Sequence, residues 1–325
     1  MDKIKILLTD RLVERMPEIA ADRYPEEASR IEWVLAESGD EEELVRLAAD
    51  VDIIVGARKG ITGKVLGNAH KVRFIQQAGK GYDNIDFEAV RRKGITVSNA
   101  GGAGVIPVAE HTIMLMLAVA KSLPRAHNSV VRGEWLINEF VAKVYEIYER
   151  MLGIIGLGQI GTQVAVLANG LKMKVQYYDP HRKETSDLNF PIKSVSLEEL
   201  LKTSDFVSIN CLLTEETFHL IGKNELRMMK PTAYLINTSR GAVVDEDALA
   251  DALEEGWIAG AGLDVFGGHI DPPPKGSKIL NLPNVVFTPH TAGFTDRDLF
   301  RTLYITSLDN IIRVVRNEKP LFVLT

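Results

Sequence analysis

The chain has 325 residues, 46% hydrophobic and 25% charged, with a formal net charge of −6 and a pI near 5.7. That length suits two domains, and the excess of acid argues against nucleic acid or an anionic membrane as main partner. No apolar run approaches the ~20 residues of a membrane span. The N-terminal residues lack the apolar core of a signal peptide, and the one cysteine, Cys211, excludes an internal disulfide and fits a reducing cytoplasm.

Apolar runs alternate with amphipathic stretches, the rhythm of an α/β protein with doubly wound parallel sheets. In the first part strands are expected near 4–9, 52–55, 74–77 and 96–98. Helices fall between them, over 41–49, where Asp40 caps a first turn of Glu41-Glu42-Glu43, and over 86–93. A long apolar helix over 108–123 is too continuous for a surface position and is expected to lie between two domains. Glu110 on it would need a buried partner, and His111 beside it reads as packing. Residues 124–150 read as an interrupted amphipathic arm, with Trp135, Phe140, Val144 and Tyr148 as apolar points, suited to packing on a partner subunit.

At mid-chain stands Gly156-Leu157-Gly158-Gln159-Ile160-Gly161, a G-x-G-x-x-G turn. It follows an apolar strand over 151–155, opens a helix over 159–171, and is followed by a strand over 172–178 ending in Asp179. A dinucleotide needs this order. Gly156 permits the tight turn, Gly158 lets backbone N–H groups approach the pyrophosphate, and Gly161 lets the helix pack on the strand. The helix N-terminus adds donors and positive dipole. Asp179 accepts from the ribose hydroxyls and repels a 2′-phosphate, which favours NAD over NADP; Arg182 weakens that preference without reversing it.

Further strands are expected near 206–209, 233–237, 259–263 and 285–287, and one amphipathic helix over 295–318 that returns to the first domain. The expected organisation is a Rossmann-like cofactor domain, 101–294, inserted in a split substrate domain, 1–100 plus 295–325. The Pro-rich stretch 271–277 is a loop.

Three strand ends carry chemistry. After Asn237-Thr238-Ser239, Arg240 is placed where a substrate carboxylate would lie, and its planar fork can grip one with two hydrogen bonds. Asp264, in Gly262-Leu263-Asp264-Val265-Phe266, is positioned for the nicotinamide side of the cofactor. His290, in Thr288-Pro289-His290-Thr291-Ala292-Gly293, suits a general acid–base group. No Cys/His cluster has metal-ligand spacing, and hydride transfer needs no metal.

Together these residues resemble the NAD-dependent D-isomer-specific 2-hydroxyacid dehydrogenases. The resemblance also takes in Gly81-Tyr82-Asp83-Asn84-Ile85-Asp86, Val108-Ala109-Glu110-His111-Thr112 and Leu213-Thr214-Glu215-Glu216-Thr217. It implies that Arg240 binds the substrate carboxylate and polarises the carbonyl, and that His290 exchanges the hydroxyl proton while hydride passes to or from nicotinamide. The loop Ala78-Gly79-Lys80-Gly81 would also hold the carboxylate. Cofactor contacts are implied for Gly156, Gly158, Gln159, Ile160, Gly161, Asp179, Cys211, Thr238, Asp264 and Val108; from its residue type alone, Cys211 reads as a small buried hydrophobe. The family also implies a homodimer.

Two positions depart from the family pattern. The glutamate that usually pairs with the catalytic histidine, five residues after the aspartate, is here His269. Without a carboxylate partner the protonated histidine would be scarcer at neutral pH. Either Asp271 reaches His290 across a bulge at Gly267-Gly268, or the histidine works unassisted or differently assisted, with His269 in the glutamate's place, or the activity is reduced or lost. The second departure is Lys80, where the family commonly has a small apolar residue and the phosphonate dehydrogenase branch has lysine. With Arg240 it would favour a small acid carrying a second negative charge; the other reading is a lysine running out to solvent. The function expected is hydride transfer between NAD(H) and a small D-2-hydroxy/2-oxo acid. The alternative is a non-catalytic NAD-sensing binding protein of the co-repressor type.

Overall fold

A computed structural model describes residues 3–325 apart from 103, 142, 182–184, 186–187, 268–272, 274 and 296–303. The chain divides into two compact units, Met1–Gly104 with Phe294–Thr325, and Val105–Gly293.

In the first unit β1 (Ile4–Leu8), β2 (Ile31–Leu35), β3 (Ile53–Gly56), β4 (Phe74–Gln77) and β5 (Thr96–Ser98) form a parallel sheet in the order β2-β1-β3-β4-β5. Successive side chains of a strand point to opposite faces. Ile6, Leu8, Ile53 and Val55 accordingly enter one core, and Leu7, Ile54, Ile75 and Val97 the other. Strands covered on both faces read as continuous apolar runs, which is why β1 and β3 fall within a residue of where the sequence places them. Edge strand β2 was not expected: Glu32 interrupts its apolar run, and only Ile31 is buried. Of the helix expected over 295–318, the described part is Ser307–Val315, whose Leu308, Ile311, Ile312 and Val315 join the first core.

In the second unit β6 (Met151–Ile155), β7 (Lys174–Tyr178), β8 (Lys193–Ser194), β9 (Phe206–Ile209), β10 (Tyr234–Asn237), β11 (Gly260–Leu263) and β12 (Val285–Phe287) form a parallel sheet in the order β12-β11-β10-β9-β6-β7-β8. Two cores again cover its faces: Leu152, Ile154, Phe206, Tyr234 and Ile236 line one, and Ile155, Val207, Ile209, Leu235 and Leu263 the other. Strand β7 starts two residues later than expected because Lys172, at φ 63, still belongs to the turn that closes the preceding helix.

The long apolar helix is Val105–Ala120, and it packs on the helix Gln159–Gly170 and on strands β10 and β11. Two expectations are corrected here. Glu110 is exposed, not buried: with Ile106 and Met114 it forms an i, i+4, i+8 stripe that faces away from the core. The helix also stops at Ala120, because Ser122 adopts a left-handed conformation, φ 48, and a separate helix, Leu123–Val131, follows. Beyond it only Ile137–Phe140 is helical before β6, and Trp135 is 78% exposed.

Candidate active site

The strand order of the second unit brings the expected residues into one row. At the carboxyl end of β12 stands His290, after β11 Asp264, after β10 Thr238 and Arg240, after β9 Cys211, after β6 the glycine turn, and after β7 Asp179. In open parallel sheets this edge is where ligands bind.

The glycine turn fits a dinucleotide. Gly156 has φ +88, and a Cβ there would stand 2.7 Å from the Cys211 amide nitrogen; one at Gly161 would stand 2.1 Å from the Gly156 carbonyl oxygen. Gly158 faces open space and, as N-cap of the helix Gln159–Gly170, brings no side chain to cover the first-turn N–H groups. Asp179 holds the turn by accepting from the Leu157 amide at 2.8 Å and from the His181 amide at 2.9 Å. Beside Gly156 the buried Asn210 Oδ1 accepts no hydrogen bond from the described residues, an acceptor of the kind a bound polar ligand satisfies. Burial pushes the Cys211 thiol up to about 11, so it is a neutral packing group. The Thr238 hydroxyl meets that of Thr112 at 2.8 Å, and Thr112 gives its own proton to the Val108 carbonyl, so Thr238 is the donor. Thr238 and Val108 are thereby linked through one helix turn.

Arg240 is placed by backbone contact. Its Nη1 donates to the Ser239 carbonyl at 2.8 Å, and the Asn237 amide holds the Arg240 carbonyl at 2.9 Å. The next residue must be glycine: a Cβ at Gly241 would fall 1.4 Å from the Phe266 carbonyl oxygen. The turn after β10 therefore lies directly on the chain leaving β11.

Asp264 is fully buried, and its oxygens are taken up by the turn after β12. Oδ1 accepts from the Thr288 hydroxyl at 2.6 Å and the Thr291 amide at 2.9 Å; Oδ2 accepts from the Ala292 amide at 2.9 Å. Burial pushes this carboxyl up, but these bonds and the nearby His111 ring outweigh it and hold the group below the usual carboxylate value. Three bonds thus bracket His290, whose own φ of 54 is left-handed. A non-glycine residue held there costs on the order of 1–3 kcal/mol and persists only where its surroundings over-determine it. The sequence places Asp264 on the nicotinamide side of the cofactor; its carboxylate oxygens accept from Thr288, Thr291 and Ala292 of the His290 turn. The sequence also reads His111 as packing, yet His111 Nε2 stands 2.8 Å from the Thr288 hydroxyl and 3.5 Å from Asp264 Oδ1.

His269, Asp271 and Arg182 lie outside the described residues. The flanks of 268–274 are tied to one group: Glu246 accepts from the Gly267 amide at 2.6 Å and from the Ser277 hydroxyl at 2.8 Å. In the first unit, the loop 78–81 is fixed by the turn after β5. Ala100 N–H donates to the Gly79 carbonyl at 3.1 Å and the Asn99 amide to the Lys80 carbonyl at 2.9 Å. The Lys80 side chain is half-buried, and burial lowers its pKa from the ordinary lysine value.

Residues 113–292 match the D-isomer specific 2-hydroxyacid dehydrogenase, NAD binding domain. The chain is 40% identical over 280 residues to a glyoxylate reductase of Korarchaeum cryptofilum, covering 85% of this chain and 83% of the relative. It is 40% identical over 296 residues to a D-3-phosphoglycerate dehydrogenase of Methanocaldococcus jannaschii, covering 90% of this chain and 54% of that longer relative. An NAD-dependent formate dehydrogenase from Staphylococcus aureus, solved in complex with NAD, superposes with a TM-score of 0.86 at 27% identity over 97% of this chain and 96% of the other. The chain belongs to the D-isomer specific 2-hydroxyacid dehydrogenase family. It is an NAD-dependent 2-hydroxyacid oxidoreductase, and the binding-protein alternative has no support among these relatives.

Asp264→Asn puts an NH2 group against one of the N–H or O–H donors that the carboxylate now accepts. The expected loss is about 1–3 kcal/mol, read as a lowered thermal midpoint; an unchanged midpoint would mean that the turn is held by other contacts. Gly241→Ala is expected to lower kcat/KM for the oxo acid while NADH fluorescence still reports binding, because the clash with Phe266 displaces Arg240 and spares the turn at 156–161.

Proposed function

We propose that the chain reduces a small 2-oxo acid to its D-2-hydroxy acid, with Arg240 binding the carboxylate and His290 giving the proton. The observation that carries this reading is the placement of Arg240 and His290 after β10 and β12, on either side of β11, along the edge that carries the dinucleotide turn. Bound at Gly156–Gly161, NADH supplies the hydride. Arg240 offers two parallel N–H donors that fix the carboxylate plane and polarise the adjacent carbonyl. His290 Nε2 or Nδ1 protonates the carbonyl oxygen as it gains charge, and takes the proton back in the oxidative direction. For the partner of His290 we carry forward Asp271, with His269 as the other candidate.

The names of the relatives divide between a simple acid, glyoxylate, and a phosphorylated one, 3-phosphoglycerate. Lys80 is the residue on which we base a choice. Its half-buried position supports an ammonium turned toward a ligand more than one running to solvent, and a lysine in this loop favours an acid with a second negative charge. The arm after Leu123 exposes Val131 at 71%, Trp135 at 78% and Val141 at 65%. An apolar patch of this kind supports a homodimer built on it.

His290→Asn is expected to lower kcat about 10²–10⁴-fold with NADH binding kept; wild-type turnover in this variant would remove His290 from the mechanism. Lys80→Ala is expected to lower kcat/KM on phosphorylated or dicarboxylic 2-oxo acids about tenfold or more, with glyoxylate changed less than twofold. An equal fall on both classes sinks the second-charge reading. Trp135→Glu should halve the mass seen by light scattering; an unchanged mass rules this arm out as the interface.

A further inference from the structure

We infer that His111 is a positioning residue for the proton transfer, holding the turn that carries His290 through Thr288 and Asp264. The inference rests on the reading of His290 as proton donor. Proton accounting fixes the direction of the chain of bonds. An ionised Asp264 only accepts, and Thr288 has a single hydroxyl proton, which it donates to Asp264 Oδ1 at 2.6 Å. The 2.8 Å contact between His111 Nε2 and the same hydroxyl oxygen is then made by an Nε2–H that donates. Charge and hydrogen bonding run from His111 to Thr288 to Asp264, and Asp264 receives the amides of Thr291 and Ala292 from the far side of His290.

His111 also differs from the other members of this chain in where it is mounted. Thr288, Thr291 and Ala292 all belong to the turn that must be held, and Asp264 follows the neighbouring strand. His111 projects from the helix Val105–Ala120, which packs across β10 and β11 with Ala109, Leu115 and Met116 buried on either side of it in sequence. Its side chain is 14% exposed and Asp264's is 1% exposed, so the bonds form where water competes weakly. The helix supplies a second fixed point for the turn, beside the one that Asp264 provides after β11. His290, left-handed at φ 54, needs such a point to keep its ring in one place.

The test compares His111→Leu, which removes the donor, with His111→Gln, whose side-chain amide can still reach Thr288. Two readouts are taken on the full-length enzyme: steady-state kinetics with NADH and a panel of 2-oxo acids including glyoxylate, and hydrogen exchange of the Thr291 and Ala292 amides with NADH bound. His111→Leu is expected to lower kcat about tenfold while KM for NADH stays within about twofold, and to speed exchange at 291–292 about tenfold, with exchange at 156–161 unchanged. His111→Gln is expected to restore most of both. Unchanged kcat and exchange in His111→Leu overturns the inference, as does a loss that His111→Gln shares in full, which would make the imidazole mere packing. His290→Asn separates the two levels: if it keeps turnover, the assignment of His290 fails whatever the exchange shows, and if it abolishes turnover while His111→Leu does nothing, only His111 falls.

Discussion

A buried carboxylate sets the geometry on which the rest of the site depends. Asp264 leaves β11 at a place where water does not reach it, and a charge there is stable only if several donors converge on it. The donors come from residues 288, 291 and 292, which bracket His290. The position of the proton-carrying ring is thus fixed by a neighbouring charge. On the other side of β11 the chain leaving Asp264 presses its Phe266 carbonyl against Gly241, which fixes the turn carrying Arg240. One strand therefore spaces the two side chains proposed to meet the substrate, Arg240 and His290.

The same edge explains how the hydride chemistry and the acid–base chemistry come together. The dinucleotide turn follows β6, and His290 and Arg240, the proposed proton and carboxylate groups, follow β12 and β10, all in one parallel sheet, so their separations are set by hydrogen-bonded strand spacing. Rigid placement of this kind supplies much of the rate of a two-substrate reaction, because reactants are oriented before the barrier is met. The departure at 269 leaves this frame intact. Arg240, Asp264 and the glycine turn stand where the family motifs have them in the sequence.

Much of this was legible in the sequence, for identifiable reasons. Phe206–Ile209, buried throughout and apolar but for Ser208, is placed to the residue. Edge strands β2 and β8 are not, because a half-exposed or two-residue strand carries no such apolar run. Arg240, Asp264 and His290 stand out in the sequence as candidates because each lies in a short motif at a strand end. His111 was passed over because its partners, Thr288 and Asp264, lie far away in sequence, and no local spacing announces a bond formed by the fold. Glu110 was misplaced because the helix is apolar almost throughout, and only packing on β10 and β11 decides that the stripe Ile106, Glu110, Met114 faces outward.

The central claim is that Arg240 and His290 hold a 2-oxo acid by opposite ends, so that hydride reaches one face of its carbonyl. The most direct test is the configuration of the product formed when the protein reduces hydroxypyruvate with NADH, read by chiral chromatography. The account predicts the D-hydroxy acid alone. The L-isomer, or a mixture of the two, would contradict it.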